Sequence, residues 1–261
     1  MSIAGSDSSG GAGIQADIKT ITALGGYAAA ALTALTAQNT HGVTDIAPVD
    51  PEFVVEQVRL MHVDIGLDAI KIGMLHRLEV VNALADYFDS CEELPPIVLD
   101  PVMIAKGGAA LILNDAQEAI IDRLIRRHAS LITPNVPEAE RLSGRKIEDL
   151  DDMKAVASDL IAMGPDAVLM KGGHMDGPVV TDILATPSGF IQFDHPRFDS
   201  RHTHGTGCTL SSAVATGLGQ GLELHNAVER ALRYVELAIE GAPGYGGGHG
   251  PLNHGHNIPE F

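Results

Sequence analysis

The run Ala69-Ile70-Lys71-Ile72-Gly73-Met74, the stretch Leu78-Glu79-Val80-Val81-Asn82-Ala83-Leu84-Ala85-Asp86-Tyr87-Phe88 and the run Ile97-Val98-Leu99-Asp100 follow one another in this chain. The outer two are short apolar runs of the kind that form buried strands. The middle one spaces its apolar residues three and four apart opposite charged positions, the period of an amphipathic helix. A strand, a helix and a second strand joined at this length imply a right-handed crossover and parallel pairing. The unit repeats outward. Leu131-Ile132-Thr133 and Ala167-Val168-Leu169-Met170 read as further strands, with helices over Glu52 to Met61, Ala116 to Arg127 and Met153 to Met163. The expected fold class is α/β, with a mainly parallel sheet covered on both faces.

Two departures from the alternation are visible. Val179 to Ala185 and Phe190 to Asp194, joined through Thr186-Pro187-Ser188-Gly189, read as a hairpin at a sheet edge. Helices over Thr206 to Leu218 and Leu224 to Glu240 then precede a tail rich in Gly and His. The length of 261 residues suits one domain over 1–261, with no internal repeat or linker. Seventeen basic residues against thirty-four acidic ones give a net charge of −17, which disfavours nucleic acid and anionic membrane as partners. No apolar run is long enough to span a bilayer, and the first residues lack an export signal. A cytoplasmic protein is expected. Its two cysteines, Cys91 and Cys208, do not make a disulfide framework.

In an open parallel sheet, ligands bind beyond the carboxyl ends of the strands. There the sequence places Gly73-Met74, Asp100, Pro134-Asn135 and Lys171-Gly172-Gly173. A carboxylate, an amide and an ammonium on one sheet edge suit an anionic ligand with a metal. His204-Gly205-Thr206-Gly207-Cys208-Thr209 opens an apolar helix, where converging N–H groups and the helix dipole can cradle a phosphate. Cys208 lies in the first turn, where the dipole is expected to lower a thiol pKa. Cys91 is expected to be a small buried residue. Gly-x-x-x-x-Gly-Lys-[Ser/Thr] is absent. Gly11-Ala12-Gly13-Ile14-Gln15-Ala16 matches a dinucleotide fingerprint, but the next strand, Leu32 to Gln38, carries no ribose-binding acid.

Seven segments in order resemble the hydroxymethylpyrimidine and phosphomethylpyrimidine kinase family of thiamine biosynthesis, a branch of the ribokinase-like fold. They are Ile3 to Asp17, Thr36 to Thr40, Lys71 to Leu75, Leu99 to Met103, Thr133 to Glu140, Lys171 to His174 and His204 to Thr209. The resemblance implies a three-layer α/β/α kinase using ATP and Mg2+, active as a homodimer. Such a kinase would phosphorylate 4-amino-5-hydroxymethyl-2-methylpyrimidine and then the resulting monophosphate. Gly5, Asp17, Gln38, Met74 and Val102 would line the pyrimidine pocket, with Gln38 and Asp17 bonding the ring and its amine. Asn135, Glu138, Lys171 and Thr206 would serve the nucleotide, and Asp100 and Glu138 the metal. Gly205 and Gly207 would hold the transferring phosphoryl, and Cys208 would orient or deprotonate the acceptor hydroxyl.

The family usually has Pro where Ser8 stands, and the chain opens at Met1-Ser2-Ile3-Ala4, so a clipped first strand is expected. The rival readings are a pyridoxal or pyridoxine kinase, whose substrate also carries a hydroxymethyl group, and a non-catalytic binder of thiamine precursors. Residues Gly246 to His256 read as a covering loop rather than a metal site, because nothing rigid fixes their histidines.

Overall fold

A computed structural model describes residues 1–103, 114–175 and 177–259, with the backbone alone at 114 and 115. Its centre is a nine-stranded sheet in the order β3-β2-β1-β4-β5-β6-β7-β8-β9. The strands are β1 Ser2–Asp7, β2 Ala30–Asn39, β3 Gly42–Pro48, β4 Ile70–Ile72, β5 Ile97–Leu99, β6 Leu131–Ile132, β7 Ala167–Met170, β8 Val179–Thr186 and β9 Gly189–Pro196. From β2 to β7 every pairing is parallel. β3 and the β8–β9 hairpin close the two edges with antiparallel pairing.

Alternation along the short strands divides the core into two layers. Ile97, Leu99, Ile132, Val168 and Met170 face one way. They pack against helices α2 Pro51–Asp64, α3 Leu78–Asp89, α6 Val136–Ser143 and α7 Leu150–Ile161 through Val58, Leu84, Leu142 and Val156. Val98, Leu131 and Leu169 face the other way, against α8 Thr206–Gly219 and α9 Leu224–Glu240 through Val214 and Val228. Helix α1 Gly13–Ala23 packs beside α8. Strands buried on both faces read as unbroken apolar runs, which is why they were visible in the sequence.

Three elements differ from expectation. The helix read over Ala116 to Arg127 is interrupted: α4 Asn114–Ala119 passes into a π-helical turn, Ile120–Ile125, and then α5 Arg126–His128. β3 was not read as a strand. It lies on the sheet edge with few buried side chains, and a bulge opposite Ala37 and Gln38 breaks its alternation. β1 is paired along both sides from Ser2 onward, so the expected clipping does not leave it without neighbours.

β1 is the point from which the chain steps to β2 on one side and to β4 on the other, the switch point of the sheet. The ends of β1, β4, β5, β6 and β7 open onto one cleft of about 830 Å³.

Candidate active site

The end of the cleft where a phosphate cradle is expected is built on the start of α8. Gly205 caps the helix at φ 83°, a left-handed conformation that glycine adopts without strain. A Cβ there would overlap the carbonyl oxygen of Gly11, so the two loops are in backbone contact. Thr209 anchors the first turn by donating its hydroxyl to the Gly205 carbonyl at 2.8 Å. Helical geometry leaves the first N–H groups without intrahelical partners, those of Gly207 and Cys208 among them. A Cβ on Gly207 would lie 3.1 Å from Lys171 Nζ and 3.3 Å from Asp100 Oδ2. The bare glycine therefore keeps the space between the helix start and these charges open.

Lys171 donates to Asp100 Oδ1 at 3.0 Å and stands 3.9 Å from Glu138 Oε2. Burial would depress its ammonium, but Asp100 and then Glu138 outweigh it and hold the group above the ordinary lysine value. Glu138 is pushed up to about 7, by burial first and by the Asp100 carboxylate against the pull of Lys171. Glu138 also closes a capping box. Its Oε2 accepts from the Asn135 N–H at 2.8 Å, and Asn135 Oδ1 accepts from the Glu138 N–H at 2.9 Å. This explains their spacing structurally, while both residues still line the cleft.

The described residues contain no group of three His, Cys, Asp or Glu able to cage a metal. Mg2+ needs no such cage, since it binds through one or two carboxylates and completes its shell with water and phosphate oxygens. Asp100 and Glu138, two carboxylates that share one ammonium and line the cleft, fit that requirement.

At the other end of the cleft Gly5, Thr36, Gln38, Met74 and Val102 form the wall. Met74 packs with Ala34, Val43, Ile46 and Val102 into a small apolar cluster, and a Cβ on Gly5 would overlap Met74 Cε. This end suits a flat heterocycle.

Asp17 is a correction to the sequence reading, because it does not reach the cleft. Its side chain is wholly buried, and its two oxygens accept from Lys71 Nζ at 2.9 and 3.0 Å, Ser2 Oγ at 2.6 Å and Ser212 Oγ at 2.7 Å. Those bonds occupy the carboxylate from all sides, leaving no acceptor for a ring amine. Lys71 lines the cleft instead.

Cys208 is a second correction. Its thiol is pushed up to about 11, not down: burial dominates, and the nearby Lys71 ammonium and the Gly13 N–H only partly offset it. At neutral pH it is a thiol that can orient a hydroxyl, not a standing thiolate. Cys91 is half-buried rather than enclosed, and donates to the Tyr87 carbonyl at 3.3 Å.

Lys71, Thr36, Asp7 and His204 were not singled out in the sequence as lining the cleft. Only Lys71 carried a signal, as a cation in the middle of the three-residue strand Ile70–Ile72, a position that requires a buried partner. The Gly11 to Gly13 segment turns the N–H groups of Gly11 and Ala12 inward to Asp7, while Ala12 and Gly13 line the cleft. Asp7 accepts from the N–H groups of Ser9, Gly11 and Ala12 at 2.8, 3.2 and 2.8 Å, and the segment packs against His204.

The pattern that defines the family described as phosphomethylpyrimidine kinase matches residues 7–253. A hydroxymethylpyrimidine/phosphomethylpyrimidine kinase of Bacillus subtilis is 44% identical over 97% of this chain and 93% of its own length. A thiamine biosynthesis bifunctional protein of Geobacter sulfurreducens is 48% identical over 97% of this chain, which spans about half, 51%, of that larger protein. Among solved structures, a phosphomethylpyrimidine kinase of Clostridium difficile superposes with a TM-score of 0.81 at 42% identity, covering 91% of this chain and 97% of its own. A Staphylococcus aureus pyridoxal kinase in complex with pyridoxal superposes with a TM-score of 0.89 at 33% identity, covering 98% and 93%. Among the described residues no helix is long and apolar enough to cross a membrane.

Proposed function

Because the chain belongs to the phosphomethylpyrimidine kinase family, we propose that it transfers the γ-phosphoryl of ATP to the hydroxymethyl oxygen of 4-amino-5-hydroxymethyl-2-methylpyrimidine and then phosphorylates the monophosphate to the diphosphate. One observation carries this reading. A helix-start phosphate cradle faces Lys171, Asp100 and Glu138 across the same cleft whose far wall is the Gln38 and Met74 pocket. Donor phosphate and acceptor ring therefore share one space, with Cys208 between them.

The geometry supports one division of labour. The N–H groups of Gly207 and Cys208 and the Lys171 ammonium receive the transferring phosphoryl, where charge stabilisation supplies most of the rate. Mg2+ held by Asp100 and Glu138 would neutralise charge on the phosphate oxygens. Gly5, Met74 and Val102 seat the ring, and Gln38 reads its polar edge. Cys208 orients the first-step hydroxyl while the new O–P bond forms, the bond to ADP breaks and the hydroxyl proton passes to an oxygen of the transferred phosphoryl group. The apolar slot of Val180, Leu232, Val235 and Ile239 takes the adenine. The reading extends to a homodimer in the cytoplasm.

The test is purified protein with ATP and Mg2+, following mono- and diphosphate products from the pyrimidine and from pyridoxal in parallel. Both pyrimidine products are expected, with pyridoxal the poorer acceptor. A preference for pyridoxal overturns the substrate assignment, and no turnover of either overturns the kinase reading.

A further inference from the structure

The Gln38 side chain sits between two fixed hydrogen-bonding groups. On one side its amide Nε2 lies 3.3 Å from His204 Nε2, and on the other its Oε1 lies 3.1 Å from Thr36 Oγ1. Neither contact works in that orientation. His204 Nε2 lies 2.8 Å from Asp7 Oδ2, and a carboxylate accepts, so this ring nitrogen carries a proton and donates. It then offers no lone pair to an amide N–H. Thr36 has one hydroxyl proton, and its Oγ1 stands 2.8 Å from the Ser6 carbonyl, which can only accept. With that proton given to the nearer Ser6 carbonyl, Thr36 Oγ1 pairs best with its second neighbour as an acceptor. Two separate constraints, from β1 and from the loop before α8, thus give the same answer. The oxygen and nitrogen of an amide are nearly indistinguishable in shape, and exchanging them satisfies both contacts.

We infer that Gln38 holds its amide with Oε1 toward His204 and Nε2 toward Thr36, and that Asp7 and His204 are positioning residues that fix which hydrogen-bond pattern the acceptor pocket reads. His204 Nε2–H is shared between Asp7 and Gln38 Oε1. Gln38 Nε2–H donates to Thr36 Oγ1, and Thr36 Oγ1–H donates to Ser6. The relay is anchored in the interior, since Asp7 and His204 are 3% and 8% exposed. Asp7 is in turn held by three backbone N–H groups and by Ser9 Oγ at 2.8 Å.

What remains on the outer edge of the amide is one oxygen lone pair beside one N–H, in a fixed order. That edge matches a ring nitrogen flanked by an exocyclic amine: the nitrogen accepts from Nε2–H and the amine donates to Oε1. It mismatches the 4-oxo isostere, whose ring N–H and carbonyl oxygen present the reverse pattern. A glutamine free to turn over would accept both. The relay converts an ambiguous side chain into a selective one, and the inference rests on the acceptor assignment proposed above.

The experiment compares kcat/KM for 4-amino-5-hydroxymethyl-2-methylpyrimidine and for its 4-oxo analogue, using wild type, His204→Leu, His204→Gln and Thr36→Val. Taking the ratio cancels any general loss from disturbing the loop. Wild type is expected to prefer the amine by about 100-fold or more, as sites that pair buried polar groups do. His204→Leu and Thr36→Val should each shrink that ratio about tenfold, while His204→Gln, which retains a donor, restores it. Asp7 keeps its backbone donors in His204→Leu, so the fold should survive. Where turnover is too slow, calorimetric Kd values for the two heterocycles give the same ratio. Variants that weaken both substrates equally overturn the relay and leave the kinase assignment standing. A wild type that takes neither heterocycle overturns that assignment, and the relay with it.

Discussion

Lys71 and Asp17 form an ion pair at 2.9 Å with both side chains completely buried, one on β4 and the other on α1. Burial alone would depress the ammonium, but Asp17, followed by Cys208 and Asp100, holds it above the ordinary lysine range. Removing one partner strands the other charge in the interior. Lys71→Met should therefore cost about 3–5 kcal/mol, and the double variant Lys71→Met/Asp17→Asn should recover a large part of that. Urea midpoints test it: additive losses would show the two residues are not coupled. Because the Lys71 value is raised, its contribution is fully present below the unfolded lysine pKa and disappears only as pH rises through the folded value. Stability should show no dependence on this pair across the neutral range.

The two loop glycines should fail in different ways. Gly205→Ala forces a side chain into a left-handed conformation and onto the Gly11 carbonyl, costing about 1–2 kcal/mol or more of stability along with activity. Gly207→Ala lies inside the helix, where alanine is well tolerated, but its methyl would press against Lys171 Nζ and Asp100 Oδ2 and fill the space in front of them. We expect a folded protein with its thermal midpoint unchanged and kcat/KM lower by about 100-fold or more. A Gly207→Ala enzyme with ordinary turnover would mean the phosphoryl passes elsewhere.

Cys208 should be slow to alkylate near neutrality. With burial pushing its thiol up to about 11, iodoacetamide labelling in a Cys91→Ser background should accelerate steadily as pH rises toward that value. Cys208→Ala should slow the first phosphorylation by about tenfold or more and the second by less, since a phosphate acceptor has no hydroxyl to orient. Equal losses in the two steps, measured by separating mono- and diphosphate, would remove Cys208 from the reaction.

The strand-end groups Asp100, Asn135 and Lys171 were legible because an open parallel sheet delivers such residues to one edge whatever its loops do. The errors at Asp17 and Cys208 share a cause. Neither the resemblance that gave Asp17 to the pyrimidine pocket nor the dipole expected to lower the Cys208 thiol takes account of burial set by other elements, which decides both. Asp17 owes its environment to Ser2, Lys71 and Ser212, and the last of these is 195 residues away. Asp7 and His204 pair across 197 positions, and nothing local to either announces it. β3 was missed because an exposed edge strand has no buried face to impose alternation.

His254, in the tail, should make stability acid-sensitive. Its ring is buried, lies 3.0 Å from Thr209 Oγ1, and is pushed down to about 4, mainly by burial and then by Lys19 and His256. The unfolded chain binds this proton near 6.5, so between about 6.5 and 4 the unfolded state holds more protons and stability falls as pH falls. His254→Gln should remove up to about 3 kcal/mol of that dependence. Urea titrations at pH 4.5 and 7.5 measure the difference, and an unchanged slope would place the proton elsewhere.

The contact of Gly205 with Gly11, together with the bond between His204 and Asp7, joins the end of β1 and the segment that follows it to one almost two hundred positions later. No fragment of moderate length contains both of these loops and their supports. Catalysis is consequently a readout of the whole topology. During refolding, turnover should return no earlier than the docking of the loop before α8 onto the end of β1 and the segment that follows it, a closure across 197 positions whose entropic cost grows with its span.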